Sequence, residues 1–154
     1  MLTPENVKRV EDLFQKYPTK KAALLPALWI AQEQEGWISE EMMKHVAELV
    51  EVPPAHVLGV VTFYTMFQDK KLGTYHIEVC TNVSCMLRGS DKILDVVHKH
   101  CGARVGETSA DGKFTVSEVE CMGACGGAPM IAIGEEYHEH LTPEKAEEVL
   151  RNLK

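Results

Sequence analysis

Apolar residues recur about every three to four positions through the first part of the chain and about every two positions through much of the second, so the pattern predicts helices first and a sheet afterwards. Thr3-Pro4 reads as a helix N-cap followed by proline at the first helical position, and Val7, Val10, Leu13 and Phe14 mark one face up to Pro18. A second helix is expected from Thr19, carrying Leu24, Leu25, Leu28, Trp29 and Ala31 and stopping at Gly36, a residue suited to the left-handed cap position. Pro26 lies inside it, so either the helix kinks there or its regular part begins there. Ser39 caps a third helix, with Glu40 and Glu41 placed favourably against the helix dipole and Met43, Val46, Leu49 and Val50 turned inward. Pro53-Pro54 ends it and opens a fourth over residues 55–67, apolar nearly all round and therefore expected to be the most buried of the set. Four helices joined by short loops make a small bundle.

Between Gln68 and Thr74 the chain turns polar and the apolar period shortens. The domain boundary is expected there, with a helical bundle over residues 1–70 and an α/β domain over residues 71–154. Tyr75, Ile77 and Val79 alternate with His76 and Glu78, the pattern of a half-buried strand that delivers Cys80 at its C-terminal end. Ser90 opens a helix with Ile93, Leu94, Val96 and Val97, and Ala110-Asp111-Gly112-Lys113 is a turn into a strand at Phe114–Val119, with Cys121 just beyond. Residues 129–134 form a short apolar strand, residues 136–140 an edge partner, and Thr142-Pro143-Glu144 starts a last helix with Ala146, Val149, Leu150 and Leu153 inward. Strand, helix, strand, strand, helix is a small α/β sandwich, and the whole chain is α+β.

Composition narrows the function. The chain has 154 residues, 45% apolar and 25% charged, as an ordinary globular protein does, and its net charge of −7 without a basic stripe excludes a nucleic-acid surface. Met1-Leu2-Thr3-Pro4-Glu5-Asn6 carries neither a basic nor an apolar leader region, and the most apolar stretch, residues 57–67, is far short of the roughly 20 residues that cross a bilayer. A soluble, cytoplasmic protein without direct membrane insertion is expected. Five cysteines then point to a reducing compartment, where paired thiols bind metal or do redox work.

Four of the five stand in two pairs, Cys80-Thr81-Asn82-Val83-Ser84-Cys85 and Cys121-Met122-Gly123-Ala124-Cys125, each spanning one tight loop. Together they supply the four thiolates of a sulfur-ligated metal site. Spacing alone admits a structural zinc ion or a two-iron, two-sulfide cluster. Gly123, Ala124, Gly126, Gly127 and Ala128 shift the balance, because they leave little side chain around Cys121 and Cys125 and let backbone N–H groups approach an anionic cluster. Such a cluster is already negative when oxidised, and Glu118 and Glu120 beside the ligand loop oppose adding an electron, so a low reduction potential is expected. Cys101, alone between His100 and Gly102, is the spare.

The spacing differs from the plant-type and bacterial ferredoxin patterns, so another scaffold is required. The run C-x4-C, then C-x3-C followed by Gly126-Gly127-Ala128-Pro129, resembles the thioredoxin-like [2Fe–2S] component, the E subunit family, of NADH:quinone oxidoreductase, respiratory complex I. Gly36-Trp37-Ile38 and Val61-Thr62-Phe63-Tyr64-Thr65-Met66-Phe67 extend the likeness into the helical part, which stand-alone thioredoxin-like ferredoxins lack. The resemblance implies a thioredoxin-like domain over residues 71–154, with Cys80 and Cys85 on one iron and Cys121 and Cys125 on the other. It further implies electron exchange with FMN on a flavoprotein partner that oxidises NADH, within a larger complex peripheral to the inner membrane. A homologous subunit of an NAD-linked hydrogenase or formate dehydrogenase fits the same residues, as, from another class, does a zinc-stapled interaction module.

Other features read as structure. Trp37 and the Phe63-Tyr64-Met66-Phe67 aromatic and methionine group are core and interface packing. His98 and His100 suit a helix end electrostatically, His138 and His140 share a strand face without a third ligand, and Met122 packs over the site. Gly123 to Gly127 lack dinucleotide-binding spacing, so nothing here binds NADH alone. A thiol–disulfide oxidoreductase expects C-x-x-C, which neither pair has.

Overall fold

The computed structural model describes residues 1–153, whose first unit, Met1–Lys71, is helical. Helix α1 (Pro4–Leu13) begins where Thr3 accepts a hydrogen bond from the Asn6 N–H, with Pro4 at a position needing no donor. A 3-10 turn, Lys20–Ala23, leads into α2 (Leu24–Glu35), which closes on Gly36 at φ +77°. Pro26 is the third residue of α2, in the first turn where a backbone N–H has no helical partner, so the regular helix starts around it. The Ser39 hydroxyl caps α3 (Glu40–Leu49) by accepting from Met42 N–H. Val10, Leu28, Ile38, Met42, Val46 and Val57 are sealed in the core of this unit.

Helix α4 (Pro54–Phe63) departs from expectation. It stops at Phe63, and only Val57 and Val61 on it are buried, while Leu58 and Phe63 are 48% and 73% exposed. A helix packed on one side of a small core can bury only that side, whatever the polarity of its other faces. Beyond it the chain is held by side-chain hydrogen bonds: Gln32 Nε2 donates to the Met66 carbonyl at 2.9 Å and Gln32 Oε1 accepts from Gln68 N–H at 2.7 Å. Phe67 is buried against Trp29, ring centroids 5.6 Å apart, although Trp29 itself is 42% exposed. Among the described residues no single helix is long and apolar enough to cross a membrane, and α3 and α4 meet at a 118° bend.

The second unit begins at Leu72. It comprises β1 (Tyr75–Cys80), α5 (Val83–Leu87), α6 (Ser90–Cys101), β2 (Phe114–Val119), β3 (Ile131–Ile133), β4 (Glu136–His138) and α7 (Pro143–Arg151). The strands lie in the order β2-β1-β3-β4, with β1 parallel to β2 and antiparallel to β3. Alternation divides the sheet chemically. Ile77, Val79, Val116 and Ile131 join Ile93 and Val97 of α6 and Ala146 and Leu150 of α7 in one core. Cys80 and Met130, out of phase with those residues, belong to a separate small apolar cluster on the other side.

Candidate metal centre

The first thiol pair is built by the end of β1. Cys80 is its last residue, its N–H donating to the Met130 carbonyl at 3.3 Å. Thr81 leaves the sheet, and the Asn82 side chain accepts from Val83 N–H at 2.6 Å to open α5. The sequence pattern did not indicate this helix, because five residues are too short to display a period. It turns Cys85 inward and Val83, Met86 and Leu87 outward, those three being 56%, 57% and 78% exposed. The Cys80 and Cys85 thiols are within hydrogen-bonding contact, packed on Ala128 and Met130. Burial first, then the neighbouring Cys80 thiol, pushes Cys85 up to about 11, against the pull of the Met130 backbone N–H. At neutral pH Cys85 is therefore a thiol without metal, and ligation must expel its proton.

The second pair is exposed. Cys121 follows β2, and Cys125 opens a 3-10 turn, Cys125–Gly127. Gly123 at φ +73° directs its N–H to the Cys121 sulfur at 3.3 Å, a backbone conformation that side-chain-bearing residues adopt only with strain. From β4, the Tyr137 hydroxyl donates to the Met122 carbonyl at 3.2 Å. Gly127 lies so close to the Glu139 side chain that a Cβ there has no room, and its carbonyl accepts from His140 N–H at 2.6 Å. The two pairs face one another electrostatically, since Cys125 lies within charge range of Cys85. Thr81 Oγ1 donates to Glu118 Oε1 at 2.7 Å and fixes that carboxylate beside the first loop.

Comparison with known proteins follows the same residues. A family model described as thioredoxin-like [2Fe–2S] ferredoxin matches residues 10–154. The chain belongs to that family. It is 44% identical over 149 residues to the E subunit of NADH-quinone oxidoreductase from Rickettsia felis, covering 95% of this chain and 89% of the relative. It is 43% identical over 155 residues to the mitochondrial NADH dehydrogenase [ubiquinone] flavoprotein 2 of Dictyostelium discoideum, covering 99% of this chain and 63% of that one. A solved NAD+-reducing [NiFe]-hydrogenase in the H2-reduced state shares the fold at TM-score 0.74 and 19% identity, over 84% of this chain and 22% of that one.

The donor set suits the iron–sulfur cluster of this family. Among the described residues no group of three His, Cys, Asp or Glu side chains converges on a point that holds one ion. The four thiols stand as two closely spaced pairs, a donor set that suits a two-iron cluster with two thiolates on each iron. Met122 and Ala124 pack, partly buried, against the apolar cluster that contains Cys80 and Cys85. Cys101 lies apart, buried in the α6–α7 core at 5% exposure, its thiol pushed up to about 11 by burial and then by Asp111. His100 Nδ1 stands 3.8 Å from Glu147, and His98 Nε2 is buried without a hydrogen-bond partner.

Proposed function

We propose that this chain is the one-electron carrier subunit of an NADH:quinone oxidoreductase, complex I. In this reading Cys80 and Cys85 hold one iron of the [2Fe–2S] cluster and Cys121 and Cys125 hold the other. The observation that carries it is the alignment of nearly the whole chain, at 44% identity, with 89% of the E subunit of an NADH-quinone oxidoreductase. When bound, the cluster supplies a site that accepts and returns single electrons, here to and from FMN on the NADH-oxidising flavoprotein partner.

The chain's own contribution is ligation, burial and electrostatic tuning. Cys80 and Cys85 supply thiolates from a buried apolar cluster with Ala128 and Met130, where each charge interaction is strong. Cys121 and Cys125 supply theirs from the exposed loop, which leaves that side of the site open to solvent or to a partner. The outward face of α5, with Val83, Met86 and Leu87 within two residues of Cys85, is an apolar surface of the kind that docking to a redox partner covers. Attached in this way, the subunit resides on the cytoplasmic side of the inner membrane, peripheral to it. Residues 71–154 act as the cluster domain and residues 1–70 as a helical bundle with exposed Leu58, Phe63 and Met66 for subunit packing.

The test is NADH-driven reduction of the cluster, followed by its visible absorbance and EPR signal. Reduction by NADH is expected only when the FMN-bearing subunit is added, and none with this chain alone. Reduction of the isolated chain by NADH, or efficient reduction by a hydrogenase flavoprotein with none by the oxidoreductase flavoprotein, contradicts the assignment.

A further inference from the structure

The Tyr137 hydroxyl and the Cys121 sulfur are joined through a single peptide group. The Met122 carbonyl accepts from Tyr137 at 3.2 Å, and the N–H on the far side of the same peptide, that of Gly123, donates to Cys121 Sγ at 3.3 Å. Hydrogen bonds in series through one amide polarise one another: a donor at the carbonyl withdraws electron density and makes the N–H a stronger donor. Two further features keep this peptide oriented. Gly123 is held at φ +73°, and Tyr137 is fixed opposite Ala132 by the β3–β4 pairing, while Glu139 and His140 just beyond it brace Gly127. Tyr137 is half exposed, so water is available to its hydroxyl, and the bond to Met122 is not one that burial forces on it.

We propose that Tyr137 is a positioning residue for electron transfer, acting through the Met122–Gly123 peptide to strengthen the N–H···S bond on Cys121 and so raise the affinity of the cluster for its electron. The proposal rests on the reading of Cys121 as a ligand. An N–H donor to a thiolate sulfur stabilises the extra negative charge of the reduced state more than the oxidised state. Tyr137 thereby opposes the exposed carboxylates Glu118 and Glu120, which favour the oxidised state.

The experiment uses the full cluster-loaded chain with two replacements at position 137: Tyr137→Phe, which deletes the donor and keeps the ring, and 3-fluorotyrosine, a stronger donor of the same shape, studied where it stays protonated. The readouts are the reduced-to-oxidised ratio at a fixed solution potential and the solvent-deuterium sensitivity of the iron–thiolate Raman bands. Tyr137→Phe is expected to lower the ratio about twofold and weaken the deuterium sensitivity, and fluorotyrosine to shift both the opposite way. Unchanged ratios in both variants overturn the proposal. So does a fall in both, which is the mark of a purely structural role. A wild-type chain that takes up no iron and sulfide overturns the cluster reading itself, a result visible before any variant is made.

Discussion

Four of the five cysteines stand in two closely spaced pairs, and the fifth, Cys101, is buried among α6 and α7. Replacing Cys80, Cys85, Cys121 or Cys125 with alanine is expected to abolish or cripple cluster absorbance, whereas Cys101→Ala, remote in the α6–α7 core, keeps it. Iron content and the visible spectrum of each variant decide this, and a Cys101 variant without a cluster would contradict the ligand set. His76 carries a separate prediction. Its Nε2 lies 2.7 Å from Ser117 Oγ, and burial holds its pKa below 6.5 despite the opposing pull of Glu78. The unfolded chain therefore binds more protons below about pH 6.5 than the folded chain does, and the stability present above that pH is lost as pH falls toward the folded value. In His76→Gln the urea midpoint should fall less between about pH 7 and pH 5 than in the wild type; equal declines would remove the argument. The two cysteine pairs were legible because their spacing is local. Tyr137 and Glu139 were not, since their contacts with the second loop depend on a strand pairing that neighbouring residues do not reveal.

Caps are the element-scale counterpart of such local signals. Ser39 could be read as the start of α3 because its hydroxyl reaches the N–H only three residues ahead, at 3.1 Å. Ser39→Ala should cost about 1 kcal/mol, seen as a lower urea midpoint with an unchanged slope, and no change would mean that solvent caps the helix equally well. The four strands and the helices α6 and α7 of the second unit were likewise visible in the apolar period, which changes where the polar stretch from Gln68 to Thr74 begins. Burial of α4 was not, because counting apolar residues says how much surface a helix could bury and nothing of which sides have neighbours. Leu58 and Phe63 are exposed for that reason, and their apolar character belongs to the surface of the first unit. Helix α5, which carries Cys85 at its centre, is too brief to leave a pattern, yet it is what turns Cys85 inward.

At the scale of the molecule, charge and cluster oppose each other. In the proposed reading, a chain of net charge −7, with Glu118 fastened by Thr81 beside the Cys80–Cys85 loop, resists the addition of an electron to the cluster. Exposed carboxylates act over a distance comparable with the Debye length, about 10 Å at 0.1 M salt, so their influence is screened as salt rises. The reduction potential should accordingly climb with ionic strength, and a flat or falling dependence in voltammetry would show that the surface charges lie outside the cluster's range. Both effects presuppose the cluster. The most direct test is therefore the iron, sulfide and zinc content of the anaerobically purified chain, with low-temperature EPR before and after dithionite. Two irons and two sulfides per chain, with an S = 1/2 signal only after reduction, are predicted for a [2Fe–2S] centre. Stoichiometric zinc, no EPR signal and failure of iron–sulfur reconstitution would contradict the account and leave the four thiols as a structural staple.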